Sequence, residues 1–373
     1  MRVLYVEHKR GGGGCPGGAE VQLRKTAESL ARLGITVDIE PVDTDVDLHQ
    51  YDIIHYFNIY YADKLIELVQ RAECAGTPAV ISTILWDLTP FYYSRSRYIR
   101  YLGTVLGPRA GLALYRLLYN VKFRRSVLWK VQKKVIEKAA AILPNSNAEM
   151  RYLMEYFCLR PRDAEKMEKV VNGIDARLYM ECESAGAEYK TMPSHRPVVA
   201  QVGTIEPVKN QAGLIRALYD TDVSLLFVGA FKDDDYVKQC RRLGDERGRT
   251  KFIQRQSQRE LYMTLRGIDI HALPSWRETP GLASLEAAAA GCSIVTTGLG
   301  CAREYFHDMA FYCDPRSSTS IRTAVLDALN SPKPLGLSEL VKEQYTWDRA
   351  ARQTLAVYER ILDKRALKAC KSE

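Results

Sequence analysis

The 373-residue chain lacks several features, and each absence closes off a class of protein. No run of about 18 uncharged apolar residues occurs, so no membrane-spanning segment is expected. The opening stretch MRVLYVEHKRGGGG breaks its apolar run at Glu7, too early for a secretory signal core. A cytoplasmic location follows as the expectation. The nine cysteines are scattered and never stand as Cys-x-x-Cys, and the six histidines never stand as His-x-x-x-His. Reduced thiols fit this pattern better than a disulfide framework or a zinc site, and no metal is expected. Nothing resembles a nucleic-acid-binding module, so nucleic acid is not expected as a partner.

Negative charge is missing from one long segment. Between Asp87 and Glu137 there is no acid, while eleven Lys or Arg occur. Outside that segment 42 basic residues face 45 acidic ones, so the net charge of +8 belongs to one region of the surface. Within it, LALYRLLYNVKFRRSVLWKVQKK mixes Leu, Tyr, Trp and Phe with cations. Basic amphipathic stretches of this kind lie on anionic membrane surfaces, at about 1 kcal/mol per basic residue near the lipid. Arg116, Lys122, Arg124, Arg125 and Lys130 are the membrane-surface candidates. A face that binds an anionic substrate, or one that is merely solvated, is the alternative.

What is present elsewhere is alternation. Short apolar runs at 2–6, 35–42, 51–57, 78–85 and 139–146 read as buried strands, with helical patterns at 17–34 and near 62–75 among them. The segment 169–175 closes this half, and the polar stretch 181–197 reads as a linker. The pattern then restarts with strands at 198–205, 223–230, 251–255, 268–275, 292–297 and 310–315, and helices at 209–219 and 281–290. Two such sets predict an α/β protein of two doubly wound parallel-sheet domains, 1–185 and 196–345, facing across a cleft. A long amphipathic helix within 346–373 is expected to pack back towards the first domain.

Three constellations can carry chemistry. In PSWRETPGLASLEAAAAG (274–291) the amides of Gly281 and Leu282 stand at a helix N-terminus, where a phosphate can bind. Leu282, Leu285, Glu286 and Ala289 share one helix face, so Glu286 is a carboxylate among apolar neighbours. Two vicinal hydroxyls, such as those of a ribose, would satisfy it; a glutamate at the edge of an ordinary Ala-rich helix is the alternative. In VGTIEPVKN (202–210) Lys209 stands where a helix begins beyond a strand's carboxyl end, well placed to hold a diphosphate. In GGGGCPGGAE (11–20) the loop after the first strand lacks the Gly-Lys-Ser/Thr of a P-loop, yet Gly17 and Gly18 permit close backbone approach to a ligand.

Together these segments resemble the retaining glycosyltransferases of sequence family four. Glu278 and Glu286 are similar to that family's Glu-x7-Glu signature, GGAE (17–20) to its N-terminal glycine loop, VVNGID (170–175) to its segment before the linker, and VGTIEPVKNQAGLIRAL (202–218) to its donor-diphosphate segment. LPS (273–275) and LEAAAAGCSIV (285–295) fit its donor helix and the next strand. The resemblance implies the GT-B fold, a nucleotide-sugar donor (UDP or GDP) on the C-terminal domain, an acceptor on the N-terminal one, and retention of anomeric configuration. It implies that Glu286 binds the ribose hydroxyls, Lys209 the diphosphate, and Glu278 the donor sugar. The amides of Gly281 and Leu282 would hold the β-phosphate or sugar, with Gly203 and Thr204 at the diphosphate and Gly18 approaching it from the other domain.

Two departures stand out. Positions where many relatives carry an arginine are Thr204 and Val208, and Trp86 precedes Asp87 where relatives often have a histidine. His55, at another strand end, is either a ligand-facing residue or a hydrogen-bonded strand-end histidine. Trp86, Asp87 and His55 are therefore the acceptor-side candidates. The expected activity is sugar transfer, without cofactor, to a lipid-linked or cell-surface glycan acceptor at the inner face of the membrane. The alternatives are a GT-B sugar-nucleotide epimerase or hydrolase, and a non-catalytic membrane-associated subunit of the same fold.

Overall fold

The structure, a computed structural model, describes residues 1–8, 17–96, 101, 104–184 and 196–370. The chain divides into two units: Met1–Thr89 with Arg97–Asn172 and Trp347–Glu373, and Pro90–Ser96 with Gly173–Thr346.

In the first unit β1 (Arg2–Glu7), β2 (Thr36–Pro41), β3 (Ile53–Phe57), β4 (Ala79–Ser82) and β5 (Ala141–Ile142) form one sheet in the order β2-β1-β3-β4-β5, parallel throughout. The strands β1, β3 and β4 are buried on both faces over most of their length, as a sheet covered by helices on each side requires. Helix Gly18–Arg32 returns the chain from β1 to β2 and ends before Gly34, whose φ of +83° suits glycine. The order reverses between β1 and β3, a switch point beyond whose carboxyl ends ligands of such sheets bind.

The second unit holds β6 (Val198–Val202), β7 (Ser224–Val228), β8 (Thr250–Ile253), β9 (Ile270–Leu273), β10 (Ser293–Thr297) and β11 (Phe311–Cys313). Their order is β11-β10-β9-β6-β7-β8, again parallel. The switch point lies between β6 and β9, which pair only at Val199↔Ile270 and Ala200↔His271. Beyond Ala200 the two strands part, and the loops after them carry VGTIEPVKN and PSWRETPG.

The change of unit falls at Asn172–Gly173, earlier than the polar stretch suggested. Helix Ala176–Ser184 belongs to the second unit because its Tyr179, 4% exposed, packs edge-on against Tyr262 at 4.7 Å. Most of the linker read at 181–197 lies outside the described residues. Helix Trp347–Ala369 belongs to the first unit. It is tied there by Arg32–Asp348 at 2.6 Å, by Gln353 accepting from the Val171 amide at 3.0 Å, and by an Arg360–Glu168 pair.

Candidate active site

The donor-side candidates are brought together by backbone contacts. After β6, Gly203 adopts φ +146° and Pro207–Lys209 form a 3-10 turn. Lys209 closes this turn and does not open the helix, which runs Gln211–Ala217 behind a left-handed Asn210 at φ +61°. Two buried glutamines hold the loop from below: Gln201 Nε2 donates to the Lys209 carbonyl at 2.6 Å, and Gln211 Nε2 to the Thr204 carbonyl at 2.9 Å. The loop after β9 is tied to it directly. The Trp276 amide and Ser275 Oγ donate to the Val208 carbonyl at 2.8 and 3.0 Å, and Asn210 Nδ2 donates to the Pro274 carbonyl at 3.1 Å.

This stitching places Lys209 against Glu278, with Nζ 2.6 Å from Oε1. The carboxylate is 5% exposed and the lysine 23%. A charge that deep needs a partner, and Lys209 supplies it. Glu278 is also held by its backbone: it bridges to Gly300 beyond β10, where a Cβ would stand 2.4 Å from the Glu278 carbonyl oxygen. Gly281, at φ +88°, caps helix Leu282–Ala289 without a side-chain cap, and a Cβ there would stand 3.3 Å from Glu278 Oε2. The first-turn amides and the Lys209–Glu278 pair therefore adjoin. Pro280 precedes the cap rather than forming the first helical residue.

Glu286 is half-buried on that helix, between buried Leu285 and buried Ala287 to Ala290. Its charge reaches Tyr179, whose phenol is pushed up first by burial and then by Glu286. Tyr179, Gln201, Gln211, Gly229 and Gly300 were not singled out from sequence. Gly229 has the clearest steric reason to be glycine: a Cβ there would stand 1.9 Å from the Gly203 carbonyl oxygen. A strand running straight into glycine, LLFVGA, was its only trace.

In the first unit, helix Gly18–Arg32 begins behind an extended Gly17, also without a side-chain cap. The rest of the glycine loop, 9–16, lies outside the described residues. Gly12, Gly14 and Gly17 do stand at Gly-x-Gly-x-x-Gly spacing after β1, a pattern that the length of the glycine run obscures. His55 is 1% exposed, with Nδ1 2.5 Å from Tyr358 Oη and Nε2 3.0 Å from Ser82 Oγ. Both ring nitrogens are engaged, and burial pulls its pKa down to about 3. It is the central residue of β3 and not at a strand end, and both its nitrogens are spent inside the fold, one of them on Tyr358 of the C-terminal helix.

Trp86 and Asp87 stay at the carboxyl end of β4. The Trp86 ring lies 5.6 Å from that of Tyr152, and its carbonyl accepts from Tyr60 Oη at 3.0 Å. Asp87 accepts from the Thr89 amide and hydroxyl at 2.8 and 2.6 Å and pairs with Arg116 at 2.7 Å. Arg116, read from sequence as a membrane-surface cation, is thus engaged by an acceptor-side carboxylate. Arg124 is half-buried and donates to the Glu155 carbonyl at 3.3 Å, while Lys122, Arg125 and Lys130 are exposed.

Four Asp-x-Asp spacings occur, Asp43/Asp45, Asp45/Asp47, Asp220/Asp222 and Asp233/Asp235. Asp45 pairs with Arg71 at 2.7 Å, and Asp47 accepts from the His49 amide at 3.1 Å. Among the described residues no group of three or more His, Cys, Asp or Glu is arranged to hold a metal, and no helix is long and apolar enough to cross a membrane.

Residues 188–353 match the family model described as Glycosyl transferases group 1. The D-inositol 3-phosphate glycosyltransferase of Corynebacterium glutamicum (strain R) is 28% identical over 343 residues, covering 80% of this chain and 81% of that protein. The protein of the same name from Corynebacterium aurimucosum is 27% identical over 330 residues, covering 78% and 76%. Among solved structures, the sucrose-phosphate synthase of Thermosynechococcus elongatus superposes with a TM-score of 0.73 at 16% identity, covering 98% of this chain and 100% of that one. Anabaena Alr3699/HepE in complex with UDP and glucose superposes at 0.68 and 19% identity, covering 96% and 100%. The fold is that of the GT-B glycosyltransferases.

Proposed function

We propose that this chain, whose residues 188–353 match the glycosyl transferases group 1 family model, is a retaining enzyme that moves a sugar from a nucleoside-diphosphate sugar to an acceptor at a membrane surface. The observation that carries the reading is the Lys209–Glu278 pair, at 2.6 Å, beside an uncapped helix N-terminus at the β6/β9 switch point. In this reading Glu286 takes the ribose hydroxyls by two charge-assisted hydrogen bonds, each worth roughly 1.5–3 kcal/mol. Lys209 and the amides at Gly281 and Leu282 hold the diphosphate, near Gly203 and Thr204.

The bond that breaks joins the anomeric carbon to a phosphate oxygen, and the one that forms joins that carbon to the acceptor oxygen. Negative charge grows on the departing phosphate, where the lysine and the helix amides stabilise it by fixed electrostatics. Glu278 steadies Lys209 and faces the positive charge developing on the sugar. On a front-face route the departing phosphate takes the acceptor's proton, so the protein supplies no base. No nucleophile–base pair is assigned to this site.

The membrane part of the reading rests on helix Pro108–Arg124. It leaves Leu117, Leu118 and Val121 61%, 55% and 46% exposed, next to Lys122 and Arg125. An apolar face with cations at its edge suits an interface rich in anionic lipid. The acceptor is then lipid-linked or a nascent surface glycan. A second reading of the acceptor draws on the relatives' printed name and makes it a water-soluble inositol phosphate.

The donor assignment is tested by measuring UDP and GDP binding in the wild type and in Glu286→Ala; unchanged affinity rejects the ribose role. Incubation of donor without acceptor separates transfer from hydrolysis or epimerisation, since only the latter two consume it at full rate. Sedimentation with phosphatidylglycerol vesicles at low and high salt tests the membrane role. Absence of salt-sensitive binding, with turnover on inositol phosphate, favours the second acceptor.

A further inference from the structure

Beneath the donor site lies a polar residue that no step above uses. His271, in β9, is 0% exposed. It sits where β6 and β9 part, for their pairing ends at Ala200↔His271. The β6 amides facing β9 outlast that pairing. At the start of the strand the Val198 amide donates to Asp269 Oδ2 at 2.8 Å, and at its end the Val202 amide donates to His271 Nε2 at 3.2 Å. An N–H aimed at Nε2 requires that nitrogen to be bare, so the ring is neutral and its proton is on Nδ1. Nδ1 faces Ser284 Oγ at 3.4 Å, in the first turn of helix Leu282–Ala289. The serine is also 0% exposed. One imidazole therefore joins the strand end from which the Gly203–Lys209 loop springs to the helix whose amides adjoin Glu278.

We infer that His271 is a positioning residue of the donor site: as a wedge in the split between β6 and β9, it sets the spacing between the diphosphate loop and the donor helix. The inference rests on the donor reading above. A leucine of similar size would fill the volume but leave the Val202 amide and Ser284 hydroxyl without partners. Loop and helix would then be free to shift by tenths of an ångström, and preorganised phosphate sites lose affinity over such distances. A glutamine can restore the acceptor for Val202, because its Oε1 reaches to about where Nε2 lies.

The experiment compares wild type, His271→Leu, His271→Gln, Ser284→Ala and Glu286→Ala. Calorimetric binding of UDP, GDP, ADP, CDP and dTDP is measured, with a melting scan of each free protein. For the nucleotide the wild type binds, His271→Leu is expected to weaken binding about tenfold or more. Glutamine should recover affinity to within about threefold, and Ser284→Ala should lose about threefold while remaining folded. Equal losses in the leucine and glutamine variants, or wild-type affinity in a folded leucine variant, overturn the positioning role. If His271→Leu fails to fold, unchanged affinity in Ser284→Ala overturns it. Should the wild type bind none of the five, the donor reading itself fails; should only Glu286→Ala lose binding, the donor reading stands and the role of His271 falls.

Discussion

Removing either member of the Lys209–Glu278 pair should have unequal consequences, because the two side chains are unequally buried. In Lys209→Met the carboxylate, 5% exposed, loses its salt bridge to Lys209. Stranding one ion of a buried pair costs about 3–5 kcal/mol, and the partly exposed lysine, at 23%, argues for the lower end. In Glu278→Gln the ammonium turns to water, and the loss resembles that of an outer ion pair, about 1 kcal/mol. For a unit of this size 1 kcal/mol moves the melting point by roughly 2–4 °C. The second unit should therefore melt about 6–12 °C lower in Lys209→Met and about 2–4 °C lower in Glu278→Gln, read by calorimetry without ligand. The double variant should melt near Glu278→Gln, because removing the stranded carboxylate removes the penalty. Coupling of about 1–3 kcal/mol is the expected result of that cycle. Equal melting losses in the single variants, or a double variant equal to their sum, would refute the claim that the pair is one buried unit. With donor and acceptor present, Lys209→Met should also lower kcat by about 10²–10³, the cost of removing one preorganised contact to a leaving group.

Acid should weaken both units through His55 and His271, since burial holds each pKa at about 3 instead of the ordinary 6.5. Folded, each binds its proton more weakly than unfolded. Stability is therefore whole above pH 6.5 and falls as pH drops towards 3, by at most about 1.4 kcal/mol per unit for each histidine. His55→Gln should flatten the melting-point slope between pH 7 and 5, and an unchanged slope contradicts this. Gly229→Ala should weaken nucleoside diphosphate binding, because its methyl must displace the Gly203 carbonyl, which a Cβ meets at 1.9 Å; wild-type affinity there counts against the loop's rigidity. Leu117→Asp with Val121→Asp should abolish vesicle binding while leaving melting within about 2 °C, since both residues already face solvent. Retained binding would move the membrane contact elsewhere on the protein.

The sequence alone determined the alternation of strands and helices, the two-sheet architecture and the positions of Lys209, Glu278 and Glu286. Those are local matters: period, burial pattern and the punctuation of Gly203, Pro280 and Gly281 survive in one dimension. It also exposed the acid-free segment, though not that Arg116 would be held by Asp87. Only the tertiary structure decided which candidates meet. Lys209 and Glu278 are 69 residues apart in the chain, and they touch because β6 and β9 are neighbours and their loops share hydrogen bonds through Val208, Asn210 and Ser275. His55 was assigned by a tyrosine 303 residues downstream, and Gly229 by a carbonyl of the neighbouring loop. Burial, tautomer and steric room at a point are set by every strand that packs there, and no local pattern carries that sum.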